Sequence, residues 1–212
     1  MCMNNSMCGC SSNNNECENL GPFLAVDAAC ITPTKPVSTG SIIPFASGTP
    51  TALANIASGL FTAVSIVGFG TNFPNIGLSG NNIDLSLVNN LFTEAFVVPR
   101  PGNVTSIAAS FTVTLAITAA LPGTTVVNAR IYLAPAGSTV FSPTNVTVNL
   151  NPALSGVINV GTVVNNTSDN FAPLPVVAGD KLLMVFSITT TGTVADLVSA
   201  VTGTASAGIT ID

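Results

Sequence analysis

The sequence predicts an all-β domain, either a sandwich or a barrel, preceded by an extended N-terminal arm. Short apolar and β-branched runs recur between turn signals over most of the chain, and the one plausible helical turn covers residues 51–57. Apolar and polar residues alternate over 111–118, which is typical of a strand with one buried face. The same alternation argues against a membrane helix in the charge-free interval between Arg100 and Arg130.

Residues 41–45 are expected to begin the folded body. The further predicted strands cover residues 60–67, 83–88, 92–98, 104–118, 125–133, 146–150, 157–164, 181–190 and 207–211. The dipeptides Pro101-Gly102 and Pro122-Gly123 predict type II turns between long strands.

Three of the strands have informative patterns. The continuous apolar run 182–186 predicts burial on both faces, with the second face against another copy of the chain. The alternating runs 146–150 and 209–212 predict burial on one face.

All five cysteines lie within residues 1–30, at Cys2, Cys8, Cys10, Cys17 and Cys30. The polar, Asn- and Ser-rich stretch around the first four cannot form a core, so residues 1–19 are predicted to be a connector arm. Residues 20–40 contain three prolines and are predicted to be an extended linker. A disulfide framework that held the domain together would spread its cysteines along the chain. We therefore expect the arm to crosslink one subunit to another.

Two alternatives for the cysteines stay open. Cys2, Cys8, Cys10 and Cys17 could supply four sulfur ligands to zinc, although their spacing lacks the paired two-residue gaps of ribbons and fingers. The thiols could also have no paired role, since a single sequence does not establish pairing.

The composition predicts self-association. Apolar residues make up 47% of the chain and charged residues 6%, against about 25% charged in ordinary soluble domains. A surface with so little charge has weak protection against association, so the expected partner is another copy of the chain. With a net charge of −5 and only four basic residues, the chain lacks a basic patch for nucleic acid or an anionic membrane.

The small residues Gly203, Ala205, Ala207 and Gly208 near the C-terminus are candidates for close packing around an oligomer symmetry axis. Arg100 and Arg130 have two interpretations. They could form inter-subunit ion pairs with acids such as Glu94 or Asp180, or they could be solvated strand ends.

Catalytic chemistry is not expected, and neither is a cofactor. The chain has no histidine, which excludes Ser-His-Asp and Cys-His nucleophilic sites of the usual kind. A glycosidase-like carboxylate pair made of Asp84 and Glu94 is a weaker interpretation than ordinary loop or edge positions for these acids.

Four stretches, residues 41–50, 67–70, 96–100 and 205–209, together resemble the C-terminal domain of the collagen-like exosporium glycoproteins of spore-forming bacteria. The likeness covers most of residues 40–212. Residues 175–183 are also similar to the turn and strand near the end of C1q and tumour-necrosis-factor jelly rolls. The resemblance implies that residues 41–212 form a jelly roll of about eight to ten strands, assembled as a trimer on the surface of an endospore.

The chain departs from these glycoproteins because it has no Gly-x-y collagen tract. Its cysteine-rich arm is instead similar to the N-terminal connectors of endospore appendage subunits, which crosslink stacked subunits by disulfides. This implies a fibre subunit made in the mother cell without a signal peptide, with a spore-coat or exosporium anchor protein and a tip protein as further partners. The alternative is a surface or tip domain that acts as an adhesive or carbohydrate-binding module.

Overall fold

The computed structural model describes residues 40–55, 62–87, 94–115, 117–191 and 199–212. All of them belong to one compact unit, Ser38–Asp212. The predictions on the arm, on the linker as far as residue 39 and on the five cysteines lie outside the described residues. Within the described part of the chain, no helix has the length and apolar character needed to cross a membrane.

The described residues form fourteen strands and one short 3-10 helix, Leu85–Leu87. The strands are β1 Ser41–Ala46, β2 Thr51–Asn55, β3 Thr62–Val67, β4 Asn72–Gly77, β5 Ile83–Asp84, β6 Phe96–Val97, β7 Gly102–Val113, β8 Ile117–Ala134, β9 Val140–Asn149, β10 Leu154–Ile158, β11 Val163–Ser168, β12 Leu174–Val176, β13 Lys181–Thr191 and β14 Ser199–Ile211. The fold is therefore all-β as predicted, with more strands than the expected eight to ten.

The first layer of the fold is centred on β14 and β7, which pair antiparallel over most of their length. β1 and β2 pair with successive parts of the other edge of β14. β11 and β12 pair with the far edge of β7.

The second layer is centred on β13 and β8, which pair antiparallel over eleven residues. β3 and β6 lie on the other side of β13, while β9 and β10 pair with successive parts of β8. The short pairing of β2 with β3 joins the two layers into one continuous antiparallel sheet.

The main core lies between the two layers, which identifies the architecture as a jelly-roll sandwich. Its buried side chains come from both layers, including Phe45 on β1, Phe111 on β7, Ile131 on β8, Phe186 on β13 and Ile209 on β14. The alternating runs 146–150 and 209–212 each bury one face, as predicted. Burial of these large side chains supplies the main driving force for folding.

The run 182–186 is buried on both faces, but its second face is covered by residues of the same chain. Leu182, Met184 and Phe186 point into the main core, whereas Leu183 and Val185 belong to a second buried cluster. That cluster is covered by β4, β5 and the 3-10 helix of the same chain, for example by Ile76, Ile83 and Leu85. The prediction of a second copy at this position is wrong, because β4, β5 and the 3-10 helix of the same chain cover this face of β13.

Pro122-Gly123 does not form a turn between strands. The two residues lie within β8 at a break in its register with β10, where Thr124 pairs with Ser155 but Leu121 pairs with Gly156. Gly123 has a φ of 82° and Pro122 has no N–H to donate. Both properties suit a bulge as well as a turn, which is why the pattern was misleading.

Pro101-Gly102 is also not a type II turn, since Gly102 is not among the glycines with positive φ. A side chain at Gly102 is excluded by close packing, because its Cβ would lie 2.7 Å from the carbonyl oxygen of Asp212. The connection carries the chain from β6 in the second layer to β7 in the first.

Several predicted elements differ in the structure, among them the predicted strand 83–88, in which Ile83–Asp84 is strand β5 and Leu85–Leu87 is the 3-10 helix. Residues 51–57 were expected to be helical, but Thr51–Asn55 is strand β2, held between β14 and β3. The predicted strand 104–118 is split by a reversal after Val113, and the predicted strand 157–164 is split between β10 and β11. In both of these split strands, the apolar pattern continues through the reversal of the chain. The apolar residue at the reversal, Leu115 in one case and Val160 in the other, is exposed.

Candidate functional site

The outer face of the first layer is a surface of mostly small, uncharged residues, which we call the small-residue face. It consists of the outward residues of β1, β14, β7 and β11: Ile42, Pro44, Ala46, Thr202, Thr204, Ser206, Gly208, Thr210, Ser106, Ala108, Ser110, Thr112, Val163, Asn165 and Thr167. The strand register aligns these residues in rows across the sheet, such as the row Pro44, Gly208, Ala108 and Thr167.

The small-residue face is shallow because its central side chains are small. Two adjoining depressions of about 360 and 400 Å³ lie on it, and Ala108, Thr167 and Gly208 line both. Asp169 lines the second depression and is the one charged residue among the lining residues of the two. Short side chains lose little conformational freedom on burial, and uncharged ones cost much less to remove from water than charged ones. The face is therefore suited to contact with another flat surface.

The four predicted axis residues divide between the two sides of β14. Gly203 and Ala205 are buried on the core side, where a Cβ at Gly203 would lie 2.3 Å from the carbonyl oxygen of Thr112. Ala207 is partly buried and packs against the core. Of the four, Gly208 has the outward orientation, and it lies at the centre of the small-residue face. An oligomer axis at this strand stays a prediction, now resting on Gly208 and its outward neighbours.

The two ends of the sandwich carry exposed apolar side chains. At one end, Leu115 and Val160 lie on adjacent reversals, which are joined by a hydrogen bond from the Gly161 N–H to the Val113 carbonyl oxygen. At the other end, Val97 and Val177 flank the start of β13. The length of β7 separates the ends by about 35 Å.

The outer face of the second layer contains a polar depression of about 260 Å³, which we call the Arg130 pocket. It is lined by Asn128, Arg130, Tyr132, Asn149, Val185, Ser187 and Thr189. These residues lie on three adjacent strands, β13, β8 and β9, where the register places Arg130 between Val185 and Thr147. The pocket begins where the cover formed by β4 and β5 ends, because Tyr132 and Val185 belong both to the pocket lining and to the covered cluster.

The electrostatics of the Arg130 pocket are set by one cation. The Nε atom of Arg130 is buried and has no hydrogen-bond partner among the described residues, and no acid lines the pocket. Burial raises the pKa of Tyr132 above its usual value, while the charge of Arg130 acts in the opposite direction. The Tyr132 phenol is therefore a neutral hydroxyl at physiological pH.

The acids proposed as partners of the arginines are engaged within the domain. Glu94 is 6% exposed and accepts a hydrogen bond from the Thr71 hydroxyl at 2.6 Å. Asp180 is 7% exposed and accepts a hydrogen bond from the Val177 N–H at 2.9 Å. The interpretation that either acid forms an inter-subunit ion pair is therefore wrong, because both are buried.

The two arginines differ in their surroundings. Arg100 is exposed at a chain bend, and its Nη2 lies 3.4 Å from the hydroxyl oxygen of Ser41, as expected of a solvated position. Arg130 lies in the interior of β8 and is partly buried, so the strand-end interpretation does not describe it.

The pair Asp84 and Glu94 does not have the properties of a glycosidase acid and base. Asp84 is partly exposed and accepts hydrogen bonds from the hydroxyl and the N–H of Ser86, which lower its pKa. Glu94 is enclosed beside Gly68, where a Cβ would collide with its carboxylate. In the part of the chain that the structure describes, no cluster of three or more potential metal ligands is present.

Comparison with family models gives no match for this chain. Among curated proteins, the chain is 34% identical over 160 residues to Collagen-like protein 1 of Acanthamoeba polyphaga mimivirus. The match covers 72% of this chain and 17% of that protein. The chain is thus similar to part of a collagen-like protein.

Two solved structures of infectious bursal disease virus, of the Gx and Gt strains, align with most of the chain. The Gx alignment covers 90% of this chain and 37% of that chain, with 11% identity and a TM-score of 0.37. The Gt alignment covers 89% and 37%, with 12% identity and a TM-score of 0.36.

Proposed function

We propose that the chain is a structural subunit of a fibre or appendage on the surface of an endospore. In this proposal, jelly-roll domains associate as trimers, and the arms of residues 1–19 join successive trimers and crosslink them through their cysteines. The similarity to part of a collagen-like protein supports a structural role. The spore location follows the resemblance of the sequence to exosporium glycoproteins and appendage connectors.

The observation that carries the proposal is the small-residue face. Fifteen outward positions on four strands carry no charged side chain, and the central ones are Gly, Ala, Ser and Thr. A charged side chain here would have to be desolvated on association, and a long one would hold two surfaces apart. The face therefore supports association between copies of the chain.

The apolar ends support stacking of these oligomers. Leu115 at one end is 63% exposed and Val177 at the other is 57% exposed. End-to-end contact would bury apolar surface on both partners, at about 25 cal/mol per Å² removed from water. Because the two ends are different surfaces, repeated contact would be head to tail, and it would extend into a fibre where the rotation between neighbours does not close a ring.

Electron microscopy of the purified full chain tests the fibre proposal. We expect fibres from the full chain and discrete oligomers after deletion of residues 1–19. Fibres formed equally well by the truncated chain would contradict the role of the arm.

Electrophoresis of the fibres without reductant tests the crosslinks. A ladder of bands that collapses on reduction is expected if the cysteines join subunits. A single band at the monomer position under both conditions would show that the cysteines do not crosslink the fibre.

A second candidate function is a surface-displayed carbohydrate-binding domain. The Arg130 pocket favours it, because the pocket is polar, concave and located on the layer opposite the small-residue face. Assembly through the small-residue face would leave this pocket open to solvent, so display and fibre formation are compatible.

A further inference from the structure

The Arg130 pocket combines a single positive charge with several neutral hydrogen-bonding groups. Around the guanidinium are the phenol of Tyr132, the hydroxyls of Ser187 and Thr189, and the amides of Asn128 and Asn149. Hydroxyl and amide groups both donate and accept hydrogen bonds, as recognition of a polyhydroxylated ligand requires. Val185 adds an apolar wall.

No acid among the lining residues of the pocket pairs with the guanidinium of Arg130. Its Nε is buried, and no described residue accepts its hydrogen bond. Because Nε is closed off from solvent, a ligand in the pocket would pair with the charge of Arg130 through the two Nη groups. The planar fork of arginine matches the two oxygens of a carboxylate, and the charge-assisted bonds of such a pair are about twice as strong as neutral ones.

The walls of the pocket are fixed by packing and hydrogen bonds. The Asn128 amide donates to the Thr147 hydroxyl at 2.9 Å and to the Asn149 side-chain oxygen at 2.8 Å, which ties β8 to β9. The register of β9 shifts beside Arg130, since Tyr132 pairs with Pro143 and Arg130 with Thr147. This bulge is held by the Thr144 hydroxyl, which donates to the Ile131 carbonyl oxygen at 2.7 Å.

The size of the pocket limits the ligand. Its volume of about 260 Å³ is below the range of about 300–1,000 Å³ that is usual for pockets of drug-sized ligands. It therefore fits one small ring or group and not an extended chain.

We propose that the Arg130 pocket binds an acidic monosaccharide unit, with Arg130 pairing with the carboxylate and the neighbouring hydroxyl and amide groups contacting the sugar hydroxyls. The inference rests on the second candidate function, display of a carbohydrate-binding domain, and is independent of fibre formation. It adds the class of ligand and the residue that selects it.

The full chain offers a direct optical readout of this site. Tyr132 is the sole tyrosine and the chain has no tryptophan, so intrinsic fluorescence reports on the wall of the pocket alone. D-glucuronate, D-glucose and acetate would be titrated separately, with calorimetry to give affinities. We expect D-glucuronate to bind at least about tenfold more tightly than D-glucose or acetate, because only it carries both the carboxylate and the ring hydroxyls.

Two variants with the same charge change separate the pocket from general electrostatics. Arg130→Gln is expected to weaken D-glucuronate binding about tenfold or more, whereas Arg100→Gln, at an exposed bend, should change it by less than about twofold. Arg130→Lys keeps the charge but loses the planar fork, and it should also weaken binding. Thermal melting followed by circular dichroism establishes that each variant is folded.

Several outcomes would overturn the inference. If acetate bound as tightly as D-glucuronate, the sugar ring would contribute nothing to recognition and the ligand assignment would fail. If both Arg130 variants bound D-glucuronate as tightly as the wild type, the binding site would not be the Arg130 pocket. Arg130-independent binding of a carbohydrate would leave the adhesive function standing while the ligand assignment fails. Absence of D-glucuronate binding to the wild-type chain would also end the ligand assignment.

Discussion

Gly203 and Gly208 lie on the same strand but on opposite sides of it. At Gly203 a Cβ would lie 2.3 Å from the Thr112 carbonyl oxygen and 2.6 Å from the Phe111 ring, so the core leaves room only for glycine. At Gly208 the nearest atom to a Cβ would be the Ile43 carbonyl oxygen at 3.8 Å, which is ordinary contact. One glycine is thus required by the fold of the monomer, while the other leaves the outer face flat.

Replacement of each glycine by alanine separates these roles. We expect Gly203→Ala to lower the free energy of unfolding by about 1–3 kcal/mol or more, because the core must move to accept the methyl group. Gly208→Ala should change it by less than about 0.5 kcal/mol. Denaturant titration of both variants gives the comparison, and equal losses would contradict the assignment of faces.

Tyr132 offers a test of the Arg130 pocket that needs no ligand. Because burial raises its pKa, phenolate absorbance should appear at a higher pH than in the unfolded chain, whose tyrosine has the usual pKa near 10. Arg130→Gln should raise the pKa further, since it removes the charge that favours the phenolate. A midpoint that is unaffected by Arg130→Gln but moved by Arg100→Gln would contradict the geometry.

The raised pKa of Tyr132 also determines how the free energy of unfolding changes with pH. The unfolded chain loses the tyrosine proton first as the pH rises, because the folded pKa is the higher one. The contribution of this group to stability is therefore complete below the ordinary tyrosine pKa and is lost as the pH rises through the folded value. Denaturant titrations across this pH range should show a decline in the free energy of unfolding, and Tyr132→Phe should remove that decline.

The segment that contains β4, β5 and the 3-10 helix decides which part of the outer face of the second layer is covered. It covers Leu183 and Val185 on the outer face of β13 but stops short of Ser187 and Thr189, which line the Arg130 pocket. The outer face of β13 is therefore covered at Leu183 and Val185 and uncovered at Ser187 and Thr189.

Leu183→Ala tests whether this cover belongs to the monomer. We expect it to lower the free energy of unfolding by about 2–5 kcal/mol and to leave the size of the oligomer unchanged, because Leu183 contacts its own chain. The matched control is Leu115→Ala, where the side chain is 63% exposed and the expected loss is below about 0.5 kcal/mol. A change of oligomer size with little loss of stability in Leu183→Ala would favour a second copy at this face.

The spacing of apolar residues in the sequence is sufficient to predict the fold class and the positions of the central strands. The apolar run of β13 and the alternation of 146–150 and 209–212 have the burial that their patterns predicted, since burial is what creates such patterns. Reversals were harder to locate. At Leu115 and Val160 exposed apolar residues continue the alternation through a turn, and at Pro122-Gly123 a bulge uses the residues of a turn.

The candidate sites were less accessible to sequence reasoning. Gly and Ala carry little hydropathy contrast, so the run around Gly203 and Gly208 did not reveal which residues face outward. The Arg130 pocket requires residues from three strands whose order depends on pairings that are distant in sequence. The alternation of Asn128, Arg130 and Tyr132 on one face of β8 was the available signal.

At the scale of the whole molecule, the two layers have different surfaces. The first layer presents an uncharged face of small residues, and the second presents its own cover beside a polar pocket. Under the proposed function, this division would let one face associate with copies of the chain while the other stays accessible.

The most direct measurement of self-association through the small-residue face is sedimentation velocity of the full chain under reducing conditions, compared with Gly208→Glu and with Gly208→Ala as control. Reduction removes any contribution of the cysteines, and both variants should melt at the wild-type temperature because the outward Cβ at Gly208 has space. We predict that the wild type and Gly208→Ala sediment as oligomers, whereas Gly208→Glu sediments as the 21.3 kDa monomer. A monomeric wild type, or a Gly208→Glu variant that retains the wild-type oligomer, would contradict the account.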